Sequence, residues 1–203
     1  MFGVLYFFAG LIVGVAVRQQ LQQRKNTGEA LVANTLARLN SLNVLINNVT
    51  LPTEKGTTQI DHILITEAGL FIIETKHYAG WILGNPHDAK WTQVIYRVKN
   101  RFQNPLFQNY GHVKTVQALF KLPENAFINV VVFTGSAEFR TDLGPNVILL
   151  DQLLGFIEQR REKILDERQM AYAVGRIEMK RLGRSHETDE YHLNHVRNKI
   201  SRP

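Results

Sequence analysis

Three charged residues within two neighbouring apolar stretches could do chemistry. Glu74 and Lys76 stand two residues apart in the apolar run 70–76, and Asp61 lies in the run 59–66 before it. Residues two apart on a strand project from the same face. Charges on a buried strand are costly unless they are paired or bind an ion. The Glu74 and Lys76 pair therefore predicts either a salt bridge inside a sheet or a catalytic site.

The turn between the two runs decides whether Asp61 joins this pair. Residues 67–69 have the composition of a hairpin turn. If the numbers of paired residues sum to an odd value, as when Asp61 is opposite Lys76, all three side chains share one face. An even sum places Asp61 on the other face. A loop of even length, built on Ala68-Gly69 or on residues 67–70, gives the productive register.

Two carboxylates and a lysine on one face fit metal-dependent hydrolysis of a phosphodiester. Carboxylates hold Mg²⁺ with one or two side chains and leave positions for water and phosphate. The metal lowers the pKa of bound water, and a lysine can stabilise charge in the transition state. Glu29 shares a helical stripe with Val32 and Leu36. It is either a stabiliser of the helix dipole or a supporting residue of this site.

The elements that must position these residues alternate between helix and strand. Thr27 is expected to cap a first helix, Asn104-Pro105 to begin a second that runs to about Lys121, and Asp151 to cap a third. Apolar and β-branched runs predict strands at 44–51, 59–66, 70–76, 128–133 and 147–150, with a hairpin of 81–83 and 91–98. Mixed strands covered by helices predict an α/β or α+β sandwich of three layers around a mixed sheet.

The amino-terminal segment is apolar. Residues 2–17 carry no charge and Arg18 follows them, so residues 1–18 are predicted to be a transmembrane anchor. The position of the cationic residues after the run predicts a single-pass protein of the inner membrane with its domain in the cytoplasm. A cleaved signal peptide or a buried core helix is the alternative. Polar residues 19–26 predict a juxtamembrane linker.

Composition narrows the possible sites and partners. The 203 residues include no cysteine, which excludes disulfides, thiolate zinc sites and cysteine nucleophiles. The formal net charge of +6 favours nucleic acid or anionic lipid as a partner. From residue 90 to residue 121 there are basic and aromatic residues but no Asp or Glu, a pattern typical of a single strand or a frayed duplex end as ligand. A solvated face over an aromatic core is equally compatible. The candidate nucleic-acid contacts are Lys90, Arg97, Lys99, Arg101 and Lys114.

Several spaced motifs resemble one known family. They are Gly28-Glu29, Thr58-Gln59-Ile60-Asp61-His62, Gly69 with Glu74-Thr75-Lys76, Gly80-Trp81-Ile82 with Gly84, Trp91, and Asn104-Pro105 with Gln108-Asn109. In this order they resemble the nuclease-related domain, NERD, of the PD-(D/E)xK nuclease superfamily, over residues 28–133. The resemblance implies an αβββαβ core like that of restriction endonucleases. It also implies that Asp61 and Glu74 bind Mg²⁺ or Mn²⁺, that Lys76 is the catalytic lysine, and that Glu29 and Gln108 support them.

The sequence therefore predicts a membrane-anchored, metal-dependent nuclease acting on DNA or RNA, with DNA favoured. Its domain is expected at residues 27–165, followed by a helical, polar extension at 166–203. The alternative is a catalytically silent module that keeps the nuclease fold and binds nucleic acid or other proteins. The presence of Asp61, Glu74 and Lys76 together favours the enzyme.

Overall fold

Two mixed sheets and four helices make up the part of the chain that a computed structural model describes, residues 19–20, 22–39 and 42–183. In chain order the elements are α1 (residues 22–36), β1 (Val44–Thr53), β2 (Gly56–Thr66), β3 (Gly69–His77), β4 (Gly80–Leu83), β5 (Lys90–Ile95), β6 (Val98–Gln103), α2 (Pro105–Gln117), β7 (Phe127–Thr134), β8 (Ala137–Phe139), β9 (Val147–Leu149), α3 (Leu153–Glu158) and α4 (Glu167–Lys180). The larger sheet has the order β1-β2-β3-β7-β9, and the smaller has the order β6-β5-β4-β8.

A two-residue turn sets the register of the hairpin formed by β2 and β3. Thr66 pairs with Gly69 across the turn, and His62 pairs with Ile73 at the far end of the ladder. Gly69 has a φ of 128°, and a Cβ at this position would lie 2.6 Å from the Ala126 carbonyl oxygen. Only glycine accepts both this positive φ and the close approach of the Ala126 carbonyl oxygen. The paired numbers sum to an odd value, so Asp61 shares a face with Glu74 and Lys76.

Helices cover both faces of the larger sheet, which confirms the predicted three-layer fold. On one face, α1 and α3 pack through side chains such as Val32 and Leu153 against Phe71 of β3. On the other face, α2 and α4 pack through Val116 and Ala173, among others, against β1, β2 and β3. Because both faces are buried there, the paired parts of β2 and β3 are continuous apolar runs, 63–65 and 70–73, rather than alternating ones.

The smaller sheet packs one face against the larger sheet and leaves the other to solvent. Ile82 and Trp91 are fully buried against Val131 and Phe133. The predicted pairing of 81–83 with 91–98 is confirmed in β4 and β5, but the second strand ends at Ile95. There the chain turns and returns as β6, whose residues are almost all exposed. An exposed edge strand needs no apolar alternation, which is why its sequence did not indicate a strand.

Three predicted helix boundaries were wrong. Thr27 does not cap α1 but lies inside it, with its hydroxyl donating to the Gln23 carbonyl oxygen at 2.8 Å. The Gln, Lys and Arg residues before it are good helix formers, and they extend the helix into the predicted linker. Helix α2 ends at Gln117 rather than near Lys121. Asp151 lies in a 3₁₀ turn that precedes α3.

The predicted membrane topology is corrected. In the part of the chain that the structure describes, no helix has the length and apolar character needed to cross a bilayer. The single-pass inner-membrane localisation is therefore wrong for these residues. The predicted anchor at 1–18 lies outside the described residues, as does the extension beyond residue 183. The boundaries of the domain and of the linker stay predictions.

Gly28 allows α1 to approach the end of β3 very closely. A Cβ at this position would lie 2.8 Å from His77 Cβ and 2.9 Å from Thr134 Oγ1. Neither neighbour can move easily, because the His77 ring and the Thr134 hydroxyl are hydrogen-bonded to one another at 2.9 Å. A glycine inside a helix is normally unfavourable relative to alanine, so close packing is its reason here.

We expect Gly28→Ala to destabilise the fold by about 1–3 kcal/mol through overpacking. Gly175→Ala is the matched control, because Gly175 is also inside a helix and a Cβ there would meet nothing within 4 Å. The free energy of unfolding of Gly175→Ala should be about 0.5–1 kcal/mol higher than that of the wild type. Urea unfolding of both variants measures the two changes. Equal effects of the two substitutions would contradict the packing argument.

His62 is a buried neutral histidine on the strand face opposite Asp61. Only 1% of it is exposed, and its Nδ1 lies 2.7 Å from Asn47 Oδ1. Burial lowers the pKa of His62 to about 4, although the nearby Glu74 carboxylate acts in the other direction. Because the unfolded chain then binds the proton more readily, this histidine favours the folded state only above its unfolded pKa of about 6.5.

On acidification from about pH 6.5 to about pH 4, His62 should therefore remove about 3 kcal/mol of stability. His62→Gln retains an amide donor for Asn47 but cannot titrate. We expect the free energy of unfolding, measured in EDTA across this range, to fall less steeply in the variant than in the wild type. Carboxylates that titrate in the same range are present in both proteins and cancel in the difference. Parallel curves would show that His62 is not the group responsible.

Candidate active site between two diverging strands

The candidate site lies where β2 and β3 separate. Their ladder ends at the pair of His62 and Ile73, yet β2 continues beside β1 and β3 continues beside β7. Asp61 is the first residue of β2 beyond the ladder, and its Oδ2 accepts a hydrogen bond from the Thr75 backbone N–H at 2.9 Å. A side-chain carboxylate thus takes the place of a missing strand partner and holds the opening in shape.

Glu74 and Lys76 point into this opening together with Gln108 from α2. Lys76 Nζ lies 2.5 Å from Glu74 Oε1 and 3.0 Å from Gln108 Oε1. The Gln108 amide donates in turn to Glu74 Oε1 at 2.8 Å. The three side chains form a closed triangle of hydrogen bonds, so each fixes the orientation of the other two.

Glu29 reaches the same site from α1 on the other side of the sheet. Lys25, one turn earlier on α1, places its Nζ 3.4 Å from Glu29 Oε1 and 3.4 Å from Asp61 Oδ1. The lysine side chain is 41% exposed, whereas Glu29 and Asp61 are buried. The opening therefore contains three carboxylates, and one lysine approaches it from each side.

His112 is a further residue of this site. It lies one turn after Gln108 on α2 and is buried. Its Nε2 is 3.4 Å from Glu74 Oε2, the oxygen that Lys76 leaves free, and its Nδ1 is 2.8 Å from the Thr58 hydroxyl. If the Thr58 hydroxyl donates to Nδ1, the ring carries its proton on Nε2 and presents it to Glu74.

Two buried asparagines place α2 against the sheet. Asn104 caps the helix by accepting from the Leu106 N–H at 2.9 Å, and its amide donates to the carbonyl oxygens of Pro86 and Asp88. The Asn109 amide nitrogen lies within 3.1 Å of the carbonyl oxygens of Ile72 and Val130, on neighbouring strands. These contacts fix both ends of the turn that carries Gln108. The predicted start of this helix at Asn104-Pro105 is confirmed.

Crowding of the carboxylates shifts their ionisation. Burial and the Glu74 charge raise the pKa of Asp61. Burial and the Asp61 charge raise the pKa of Glu29 to about 7. Burial opposes ionisation of Glu74 too, but Lys76 and His112 overcome it and hold the pKa of Glu74 below its usual range. Burial opposes the charge on Lys76, yet the Glu74 carboxylate keeps the pKa of that lysine raised.

The donor set fits a hard divalent cation as the partner of the carboxylates. Asp61 and Glu74 are adjacent oxygen donors that are only 2% and 3% exposed, and Glu29 Oε1 is buried without a hydrogen-bond donor. Within the described ranges, no three His, Asp or Glu side chains form a ready-made metal cage. Mg²⁺ characteristically takes one or two protein carboxylates and completes its shell with water and phosphate, so two such donors are sufficient.

The five predicted site residues, Glu29, Asp61, Glu74, Lys76 and Gln108, are thus brought together, whereas the predicted nucleic-acid contacts are divided. Lys90, Lys99 and Arg101 lie on β5 and β6, and Arg97 lies in the turn between them. Lys114 is on α2, where it lies 3.4 Å from Glu124 and over the Tyr110 ring. Lys114 therefore does not share a strand with the others.

Sequence reasoning missed Lys25 and His112. Both were detectable by helical spacing, since Lys25 precedes Glu29 by four residues and His112 follows Gln108 by four. Lys25 falls in the predicted linker, which the structure shows to be part of helix α1 from residue 22 onward. His112 stands apart in sequence from the carboxylate it approaches, and only the packing of α2 on β3 brings the two together.

Comparison with known proteins agrees with this geometry. Residues 24–134, more than half of the chain, match the nuclease-related domain family. An uncharacterized protein of Bacillus anthracis is 50% identical over 96 residues, which cover 46% of this chain and 45% of that protein. The chain thus spans under half the length of this curated relative. No solved structure matched the chain. By the extent of the family match, which includes every residue of the opening between β2 and β3, the chain belongs to the nuclease-related domain (NERD) family.

Proposed function

We propose that this chain is a metal-dependent nuclease that hydrolyses phosphodiester bonds in DNA or RNA. The observation that carries the proposal is the burial of Asp61 and Glu74 side by side, with Lys76 bonded to one of them, in an opening of the sheet. A purely structural salt bridge needs one carboxylate for one lysine. The opening holds two further carboxylates, Asp61 and Glu29, and Lys25 can offset the charge of one of them. Three carboxylates thus face two lysines, and the remaining negative charge favours a site for an additional cation.

Each side chain has a distinct role in this proposal. Asp61 and Glu74 would hold Mg²⁺ or Mn²⁺, and the bound ion would supply an activated water and stabilise charge on the phosphate. Lys76 is kept protonated by Glu74, so its ammonium group can stabilise negative charge that develops on the phosphate. Gln108 keeps the Lys76 ammonium in place through its amide oxygen.

Glu29 and Lys25 act from the α1 side of the opening. With a pKa of about 7, the Glu29 carboxyl can accept and release a proton near neutral pH. Lys25 forms ion pairs of 3.4 Å with both Glu29 and Asp61, and its partial exposure lets the ammonium turn toward a phosphate when one arrives. The chain thereby offers an acid–base group and a second cation opposite Lys76.

A catalytically silent binding module is the second candidate. Its support is that the carboxylates already have partners within the chain: Lys76 and Gln108 on Glu74, and Lys25 on Asp61. Such a site could be stable without a metal. Incubating the full chain with labelled single- and double-stranded DNA and RNA, in Mg²⁺, Mn²⁺ or EDTA, separates the candidates. Cleavage that EDTA abolishes supports the nuclease, and binding without cleavage of any substrate supports the module.

Lys76→Ala should abolish cleavage and leave nucleic-acid binding nearly unchanged. Loss of one charge-stabilising group typically lowers the rate by about 10²–10³-fold, whereas loss of one phosphate contact only weakens binding. Single-turnover cleavage and binding in EDTA measure the two effects separately. Asp61→Ala should also stop cleavage, and excess Mg²⁺ should restore part of its activity.

Folding of these variants must be compared with that of the wild type. Removing Lys76 strands a buried Glu74 charge, which costs about 3–5 kcal/mol, so Lys76→Gln serves as a second variant that keeps an amide donor. Lys163→Ala is the control for a lost cation, since Lys163 pairs with Glu67 at the β2–β3 turn, the opposite end of β3. Retained cleavage in a folded Lys76→Gln protein would remove Lys76 from the mechanism.

His112 should tune metal affinity through Glu74. A partner that hydrogen-bonds a metal ligand typically contributes about 10–100-fold in affinity or activity. We therefore expect His112→Leu to weaken Mn²⁺ binding, measured by calorimetry without substrate, by at least about tenfold. His112→Gln should restore most of it, because the amide can donate to Glu74 Oε2. Equal metal affinities for the Leu and Gln variants at equal thermal stability would contradict this role.

A further inference from the structure

The smaller sheet has one face that the core does not use. Trp81 pairs with Val94, which pairs with Lys99, and Thr92 pairs with Arg101. Paired residues lie on the same side of a sheet. This side is opposite to that of Ile82 and Trp91, which are fully buried. The outer face, defined here by Trp81, Lys90, Lys99, Arg101 and Arg140, is therefore directed to solvent.

The outer face is strongly basic. Its exposed cations are Lys90, Lys99, Arg101 and Arg140. On the four strands, Glu138 is the acidic residue of this side, and it is paired with Arg140 at 2.7 Å. Lys90, Lys99 and Arg101 have no ion pair within the described ranges of the chain. Unpaired cations on an exposed sheet face are complementary to a row of phosphates.

Exposed aromatic rings accompany these charges. Trp81 is 47% exposed, and the Arg140 guanidinium lies 4.5 Å from the centre of its ring. The ring thus already accepts one flat group on its surface. At the tip of the β5–β6 hairpin, Tyr96 is 96% exposed and has a φ of 54°. Glycine is favoured in this conformation, so a tyrosine here has no evident benefit for the fold.

The outer face is close to the candidate site along the chain. Trp81 follows Lys76 by five residues, and Gln108 follows Arg101 by seven. An extended chain spans at most about 3.6 Å per residue. The face therefore begins within about 18 Å of Lys76 and ends within about 25 Å of Gln108. A strand of several nucleotides can reach from one to the other.

We propose that the outer face and the Tyr96 tip bind single-stranded nucleic acid and lead it to the active site. The inference rests on the proposed function for the fate of the strand, but binding itself does not require cleavage. Unpaired bases can stack on Tyr96 and, beside the Arg140 guanidinium, on Trp81, while the three unpaired cations contact the backbone. The bases of an intact duplex are already stacked on one another, so a single strand is the ligand that uses the rings as well as the charges.

Fluorescence anisotropy of the full chain in EDTA tests this surface without cleavage. The probes are a labelled 15-nucleotide oligothymidylate, a duplex of equal length and inorganic polyphosphate as competitor. We expect the single strand to bind more tightly than the duplex and to resist competition by polyphosphate. Tyr96→Gly and Trp81→Leu should each lower the affinity for the single strand on the order of tenfold. Lys99→Ala should lower the magnitude of the salt slope by about 0.7.

The variants include their own controls for folding and charge. Tyr96→Gly places glycine where the backbone favours it, so thermal stability should not fall and lost affinity cannot come from unfolding. Lys163→Ala removes a cation that is 72% exposed and away from the outer face, and it should leave the salt slope unchanged.

Each outcome decides one question. Any of four results would overturn the inference. The single strand does not bind, the duplex binds more tightly, polyphosphate displaces the single strand as readily as it displaces the duplex, or both aromatic variants keep the wild-type affinity. A parallel assay in Mg²⁺ reports on cleavage. If the chain cleaves nucleic acid in a metal-dependent way and the two aromatic variants bind and cleave like the wild type, the nuclease proposal stands and the outer face is not the binding surface. If binding depends on the two rings but no cleavage occurs, the outer face is the binding surface and the nuclease proposal is wrong.

Discussion

Two buried carboxylates held side by side are the constraint on which the rest of the site depends. Asp61 and Glu74 are withdrawn from water and repel one another, so neither can remain ionised without nearby cations and donors. Lys76, Gln108 and His112 compensate Glu74, while Lys25 and the Thr75 N–H compensate Asp61. The asparagine contacts of α2 and the glycine contact of α1 are the means by which these partners are kept in position.

The separation of β2 from β3 explains how a buried sheet can contain so many polar groups. Between paired strands, the backbone uses its own donors and acceptors, and both faces are covered by apolar side chains. Once the strands diverge, the space between them becomes accessible to side chains from both layers of helices. Gln108 and His112 enter from α2, and Glu29 and Lys25 enter from α1. Helices on opposite faces thereby contribute to one site.

Much of this arrangement could be predicted from the sequence, because it depends on short-range patterns. The apolar runs around Asp61 and Glu74 predicted two strands, and Asn104-Pro105 predicted the start of α2. Strand β6 could not be predicted, since an exposed edge strand carries no apolar alternation. The contact between His112 and Glu74 depends on how α2 packs, which no local pattern specifies. Residues 1–18, whose apolar character suggested an anchor, lie outside the described part of the chain.

The sequence separations within the site have a consequence for the order of folding. Asp61 and Thr75 are 14 residues apart and are joined by a tight turn, whereas Gln108 reaches Glu74 across 34 residues and β7 begins 57 residues after its partner Leu70. Short loops close with a smaller entropy loss than long ones. We therefore expect the hairpin to form early and to bring the two carboxylates together before their partners on α2 arrive. The nascent hairpin is stabilised by its apolar side chains, and the docking of α2 then relieves a repulsion that earlier folding had created.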